Sequence, residues 1–305
     1  MDNYKSGFVT LLGRPNVGKS TLVNKLIGQK IAITSTKAQT TRNKLKGILT
    51  TQTSQIIFID TPGIHKPHHL LGQRLVNNAK SAIGGVDLLL LILDSNQQPG
   101  RGDSYIRDFL IKNKSKGKFI AVLNKWDLLE ENDKKLRMKQ YNQLIEDKLV
   151  HFLPVSAITG EGCKDLVKLI ENFLPVGPML YPKDTISDQP LNILLSELIR
   201  EQVLYRTKEE IPHSVAVKIE KLEIIERKDK RDLTAILATI IVERKSQKGI
   251  LIGKGGGMLK EIGASARKNM MKLIEGPIYL ELFVKVVPNW RKKESKLNEF
   301  GYEED

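Results

Sequence analysis

The 305-residue chain lacks most of the features that mark secreted, membrane-spanning or disulfide-stapled proteins. Its one cysteine, Cys163, excludes an internal disulfide and fits a reducing compartment. Its most lipid-like stretch, Val86 to Leu93, is interrupted by Asp87 and is far too short to span a bilayer. The N-terminus has no signal-peptide pattern, and the short apolar run Phe8–Leu12 reads as a strand. Internal repeats and low-complexity tracts are also missing. Acidic residues are in deficit, 35 against 49 Lys and Arg, for a net charge of +14. Such a surplus favours a polyanionic partner, nucleic acid or an acidic membrane surface, although lysine-rich surfaces also serve solubility alone. The surplus is +10 over residues 1–189 (27 basic, 17 acidic) and +4 over 190–305 (22 basic, 18 acidic), so it is not confined to one region.

What is present is a soluble globular composition, 40% hydrophobic and 28% charged, with length enough for two domains. Up to residue 173, apolar runs alternate with amphipathic ones. Strands are expected at Phe8–Gly13, Leu45–Thr51, Gln55–Asp60, Asp87–Asp94, Phe119–Asn124 and Phe152–Val155. Helices are expected at Ser20–Ile27, Leu71–Ala82, Ser104–Lys112, Lys134–Lys148 and Cys163–Phe173. This alternation predicts an α/β domain, a mostly parallel sheet with helices on both faces. Pro175, Gly177, Pro178, Pro182 and Pro190 then break the periodicity and mark a linker. Beyond it, a helix (Leu191–Tyr205), two strands (Val215–Glu223 and Leu233–Glu243), a glycine-rich turn, a helix (Met258–Leu273) and a strand (Ile278–Val287) predict a smaller α+β domain. The expected boundaries are 1–174, a linker over 175–190, 191–288, and a tail over 289–305.

Chemistry concentrates just after the strands, where open α/β sheets bind ligands. Gly13-Arg14-Pro15-Asn16-Val17-Gly18-Lys19-Ser20, followed by Thr21, fits G-x-x-x-x-G-K-[ST]. Its glycines let backbone N–H groups face phosphates, Lys19 supplies a charge for them, and Ser20 supplies a hydroxyl for Mg²⁺. Asp60-Thr61-Pro62-Gly63 lies about forty residues further on, placing Asp60 to hold Mg²⁺ through water and the Gly63 N–H to sense a γ-phosphate. Asn124-Lys125-Trp126-Asp127 follows another strand. Asp127 can accept from guanine N1–H and the 2-amino group, which adenine does not offer, and a site of this type rejects the wrong base roughly 10⁴-fold. The Lys125 stem would cover the ring and Asn124 would tie this loop to the phosphate loop. Ser156-Ala157 would place an N–H on guanine O6. Together these motifs specify GTP. His65, His68 and His69 have no spaced carboxylate or cysteine partner, so a solvated loop is expected there and not a metal centre.

With GRPNVGKS, TT, DTPG, NKWD and SA all present, the chain resembles the translation-factor-related GTPases. The resemblance makes Gln39-Thr40-Thr41-Arg42 the first switch, with Thr41 favoured over Thr40 as its Mg²⁺-binding threonine. It also exposes a departure. Where Ras-like relatives carry the glutamine that orients the attacking water, this chain has Ile64, which can neither accept a proton nor position water. Slow intrinsic hydrolysis follows. Relatives with an asparagine at the position of Asn16 can use a bound K⁺, a mechanism this chain permits, so Asn16 through K⁺ and Thr41 are the catalytic candidates.

In the second domain, Gly253-Lys254-Gly255-Gly256 lies between Ile250-Leu251-Ile252 and an amphipathic helix, a G-x-x-G context for gripping single-stranded RNA backbone. From Glu243 to Lys285 there are 9 Lys and Arg against 4 Asp and Glu. With one lysine in the loop, affinity is expected to rest also on Lys248, Lys260 and an apolar groove formed by Ile250, Ile252, Met258 and Ile262. The element order resembles a type II KH domain. A GTPase domain followed by a KH domain resembles the bacterial ribosome-assembly GTPases. That resemblance implies a cytoplasmic, monomeric switch using GTP/GDP and Mg²⁺. It also implies binding to the 3′ region of small-subunit rRNA, action in small ribosomal subunit assembly, and peripheral association with the inner membrane. Two rivals are a membrane-associated signalling GTPase and a constitutive RNA-binding module with a structural nucleotide. The short basic tail Pro288–Lys293 is expected to pack Trp290 onto the domain and leave its charges in water.

Overall fold

The computed structural model describes residues 3–37, 39–64, 70–112, 118–145, 151–228 and 231–302. The chain divides into two compact units, changing from one to the other after Asp188.

The first unit runs β1 (Lys5–Leu12), α1 (Lys19–Ile27), β2 (Leu45–Thr50), β3 (Ser54–Asp60), α2 (Leu70–Ser81), β4 (Leu88–Asp94), α3 (Arg101–Lys112), β5 (Lys118–Asn124), α4 (Glu131–Ile145), β6 (His151–Pro154) and α5 (Cys163–Phe173). Its six strands lie in the order β2-β3-β1-β4-β5-β6, with β2 antiparallel to β3 and the other pairs parallel. The leucine run of β4 shows why such a sheet forms. Leu88, Leu90 and Ile92 join one core with Leu22 and Leu26 of α1 and Leu166 and Ile170 of α5. The alternate residues Leu89, Leu91 and Leu93 join a second core with Ala79, Ile106, Phe109 and Tyr141 from α2, α3 and α4. A strand buried on both faces needs an unbroken apolar run, and each fully buried leucine contributes about 1.5–3 kcal/mol. All the nucleotide motifs consequently emerge at one edge of the sheet, from the carboxyl ends of β1, β3, β5 and β6.

The proline-rich stretch after α5 does not hang free of this unit. Val176 bridges to Lys5, and the Gln55 side chain, fully buried, accepts from the N–H groups of Leu180 and Tyr181 and donates to the Tyr181 carbonyl. Ile48 N–H donates to the Ile186 carbonyl at 2.9 Å, Gly47 bridges to Ser187, and Lys46 pairs with Asp188 at 2.9 Å. Residues 186–188 thus lie along the outer edge of β2.

The second unit contains α6 (Leu191–Arg206), α7 (Ile211–Ser214), β7 (Ala216–Ile225), β8 (Leu233–Val242), α8 (Lys245–Ile252), α9 (Gly257–Met270), β9 (Ile278–Val286) and α10 (Glu294–Glu299). β7 pairs antiparallel and β9 parallel with the central β8. The short helix α8 departs from the sequence expectation, in which the chain passes from strand through glycine-rich turn to helix. Eight residues containing a glycine are too few for a clear 3.6 period. The helix holds because Gln247 Oε1 accepts the N–H groups of Glu243 and Arg244 and its Nε2 donates to Ser214. Trp290 packs as expected, fully buried, with its indole N–H donating to the Ser214 carbonyl at 2.9 Å and its ring stacked on Tyr302. Among the described residues no helix is long and apolar enough to cross a membrane.

Candidate nucleotide site and nucleic-acid interface

The phosphate loop spans the gap between β1 and α1. Asn16 and Gly18 adopt left-handed backbone, φ +65° and +95°. At Gly18 a Cβ would collide with the Asn124 side-chain amide. That amide donates to the Val17 carbonyl at 2.8 Å, so β5 is tied to the phosphate loop by the first residue of Asn124–Asp127. Helix α1 has no acidic residue in its first turn, which leaves its positive end bare toward the loop. Lys19, buried, folds back on the carbonyls of Arg14 (3.1 Å) and Gly13 (3.3 Å), and burial lowers its pKa to about 8 against the opposing pull of Asp60.

The metal-binding candidates converge. Ser20 Oγ donates to Asp60 Oδ2 at 2.6 Å and lies 2.8 Å from Thr41 Oγ1, itself 3.4 Å from Asp60 Oδ2. The Thr40 hydroxyl instead donates to the Lys37 carbonyl, so of the two threonines Thr41 is the one whose hydroxyl meets Ser20 and Asp60. Asp60 is fully buried, burial raises its pKa, and its Oδ1 has no hydrogen-bond partner among the described residues. A buried carboxylate oxygen without a partner beside two hydroxyls fits a hard cation with oxygen ligands such as Mg²⁺.

Around the second switch, Thr61 Oγ1 donates to the Leu11 carbonyl at 2.6 Å, and at Gly63 a Cβ would come within 2.7 Å of Pro15 N. The Ile64 N–H donates to the Gly13 carbonyl, while its side chain, 2% exposed, sits in the core with Leu12 and Ala79. Ile64 and the buried Trp126 belong to the pocket motifs by sequence, yet their side chains belong to the core. His65, His68 and His69 lie outside the described residues, and no group of His, Cys, Asp and Glu that could hold a metal occurs among those described.

At the base-recognition end, Lys125 has φ +66° and Asp127 is exposed. Within the Ser156-Ala157 pair, expected to place an N–H on guanine O6, the Ala157 N–H donates to Asn124 Oδ1 at 3.0 Å. Sequence reasoning missed three supports. Asp94 Oδ2 holds Lys125 Nζ at 2.5 Å, Ser95 Oγ donates to the Asn124 carbonyl at 2.6 Å, and Asp103 holds Arg14 at 2.8 Å. The only signal for the first two was a polar pair ending the apolar strand β4.

In the second unit, Gly253, Gly255 and Gly256 have φ of +71°, +59° and +79°, and a Cβ at Gly255, Gly256 or Gly257 would meet nothing within 4 Å. Lys254 is exposed on this loop. Beside it α9 and the outer strand β9 enclose an open groove of about 490 Å³, lined by Gly256, Leu259, Lys260, Gly263, Arg267 and Tyr279 among others. Gly256 and Lys260 were expected there, whereas Leu259, Arg267 and Tyr279 were not. Lys248 and Ile252 lie on α8 and do not line the groove. Of the apolar residues expected to line it, Ile262 is fully buried in the core and Ile250 is 54% exposed on α8.

Residues 8–125 match the family described as 50S ribosome-binding GTPases, and residues 210–291 match the KH domain family. Over its length the chain is similar to GTPase Era of Rippkaea orientalis, 52% identical with 99% of this chain and 94% of the relative covered. GTPase Era of a Synechocystis species is 50% identical, with 98% and 93% covered. Among solved structures, Era in complex with MgGDPNP and nucleotides 1506–1542 of 16S ribosomal RNA aligns with a TM-score of 0.92 at 39% identity, covering 98% of this chain and 99% of that one. A variant of Aquifex aeolicus Era bound to GDP and aluminium fluoride aligns at 0.91, also 39% identical, with 98% and 99% covered.

Proposed function

The chain belongs to the Era family of GTPases, and from that premise we propose that it is a slow GTP-hydrolysing switch that reports on small-subunit rRNA. The nucleotide reading is carried by the cluster of Ser20, Thr41 and Asp60 around a carboxylate oxygen without a partner. In the GTP state Lys19 turns from the Gly13 and Arg14 carbonyls to the β- and γ-phosphates. Ser20, Thr41 and, through water, Asp60 would hold Mg²⁺, which would supply neutralising charge for the phosphate oxygens. Asp127 accepts the guanine edge beneath the Lys125 stem, and the Gly63 N–H follows the γ-phosphate.

Slow hydrolysis follows from Ile64, whose side chain is committed to the core and leaves the attacking water without an orienting group. Asn16 compensates through K⁺ in this reading. Its amide donates to the Thr36 carbonyl at 2.7 Å, bringing phosphate loop and first switch together. Turnover compared in K⁺ and in Na⁺ tests this, and equal rates would discard it.

We assign the GTPase domain to residues 1–174, the connector to 175–190 and the KH domain to 191–288, with the Gly253–Gly256 loop and the adjoining groove receiving RNA. Lys254, Lys260 and Arg267 supply phosphate contacts and Tyr279 an aromatic surface for a base. The decisive experiment is RNA crosslinking with sequencing, run with a GTP analogue, with GDP and without nucleotide. Crosslinks at the 3′ region of the small-subunit rRNA that depend on nucleotide support the switch. Identical crosslinking in all three leaves a constitutive RNA-binding module. Stimulation of turnover by acidic vesicles but not by rRNA would instead favour a membrane-associated signalling GTPase.

A further inference from the structure

The first switch must be anchored somewhere for Thr41 to arrive repeatedly at the same place, and the chain preceding it is unusually well held. Asn24 lies on α1, one turn after Ser20. Its Oδ1 accepts the N–H groups of both Ile31 and Ala32 at 2.9 Å, and its Nδ2 donates to the Ala32 carbonyl at 2.8 Å. One amide side chain thus satisfies three backbone groups of a segment that belongs to no strand or helix. Ile31, Ala32 and Ile33 are all buried. Past Ile33 the anchoring changes character. Asn16 reaches the Thr36 carbonyl from the phosphate loop, and Thr41 meets Ser20 and Asp60.

We propose that Asn24 is the positioning residue of the GTP-dependent switch, fixing its starting point to the same helix that carries Lys19 and Ser20. This rests on the reading of Gln39–Arg42 as a nucleotide-sensing first switch. Ordering a loop on a ligand costs entropy for every residue that must be fixed. With Ile31 and Ala32 already clasped, the ordered stretch needed to bring Thr41 onto a γ-phosphate and its metal begins at Ile33. Without the clasp it begins near Gly28, and the loop to be closed is longer. GDP does not require that closure. Asn24 therefore favours GTP over GDP without touching either nucleotide.

The test uses the full chain and titrates fluorescent GDP and a fluorescent non-hydrolysable GTP analogue with Mg²⁺, alongside single-turnover GTP hydrolysis. Asn24→Ala is expected to weaken the GTP analogue and slow hydrolysis roughly tenfold while GDP affinity stays within about twofold. Asn24→Asp keeps the acceptor for two N–H groups but loses the donor to Ala32, so it should fall between wild type and Asn24→Ala. Equal weakening of both nucleotides, which a merely structural asparagine would cause, overturns the proposal, as does an unchanged ratio. If Asn24→Ala binds no nucleotide because it does not fold, Asn24→Asp decides by the same ratio. A wild-type chain that binds neither nucleotide would refute the GTPase reading itself, a different result from either.

Discussion

At Gly18 a Cβ would run into the Asn124 amide, and at Gly63 into the backbone of Pro15, whereas at Gly255, Gly256 and Gly257 it would meet nothing within 4 Å. Both glycine-rich loops precede a helix and both use left-handed backbone, yet glycine serves different ends in them. In the first, the missing side chains let pieces of the protein close on one another into a pocket for a small ligand. In the second, Gly253 closes on Met258, where a Cβ would come within 2.8 Å, but from Gly255 on glycine supplies the turn while its outer side stays open, as the proposed RNA contact requires. The first loop is closed at both its glycines, Gly13 and Gly18, and the second opens after its first.

The sharpest way to break that contrast is paired substitution. Gly18→Ala imposes both a left-handed strain of about 1–2 kcal/mol and a collision, and should reduce GDP affinity by more than about 100-fold. Gly256→Ala carries the strain alone and should weaken RNA by no more than about tenfold, read by fluorescence anisotropy. Comparable losses would mean the second loop is as tightly enclosed as the first.

The next effect is a pH dependence that only the closed loop should show. Burial depresses Lys19 to about 8, below its usual value, while bound phosphates favour the charged ammonium and raise it. Nucleotide affinity is therefore full below pH 8 and falls as the pH rises above it, approaching about tenfold per pH unit. Titrations of GDP at pH 7, 8 and 9 would expose it, and a flat profile would place Lys19 in water. Asp94→Asn, which weakens the hold on Lys125, should cost roughly fivefold in nucleotide affinity and nothing in RNA affinity. For the open loop, Arg267→Ala or Lys260→Ala should each lower the slope of log affinity against log salt by about 0.7, the loss of one single-strand phosphate contact. Smallest of all, Gly257→Ala at the start of α9 should leave RNA binding unchanged and stabilise the helix by up to about 1 kcal/mol in thermal unfolding.

How far these features could be read from sequence follows the same division. The closed site announces itself because a packed pocket restricts residue types at many positions: Gly18, Lys19, Asp60 and Asn124 are all assignable from type and spacing alone. Supports reached through space carry no such spacing, which is why Asp94, Asp103 and Asn24 escape a reading of the chain. The parallel sheet was legible from double-sided strands such as β4. α8 was not, since eight residues hold barely two turns and its stability comes from Gln247 and packing. The open groove was half legible. Lys260 follows from the loop, but Arg267 and Tyr279 enter only once α9 and β9 lie side by side. Ile262 shows the opposite error, an apolar residue offered to RNA that the core had already taken.

The proline-rich stretch laid along β2 has a consequence for how this sheet edge meets other chains. β2 ends the six-stranded sheet, and an uncovered outer strand offers its backbone to any neighbouring chain. With Ile48 donating to Ile186 and Gly47 bridged to Ser187, that side is already occupied from within. The prolines before it cannot recruit a further strand, because they have no N–H to give. The same segment that interrupts the sequence periodicity therefore withholds part of this edge from pairing with another chain.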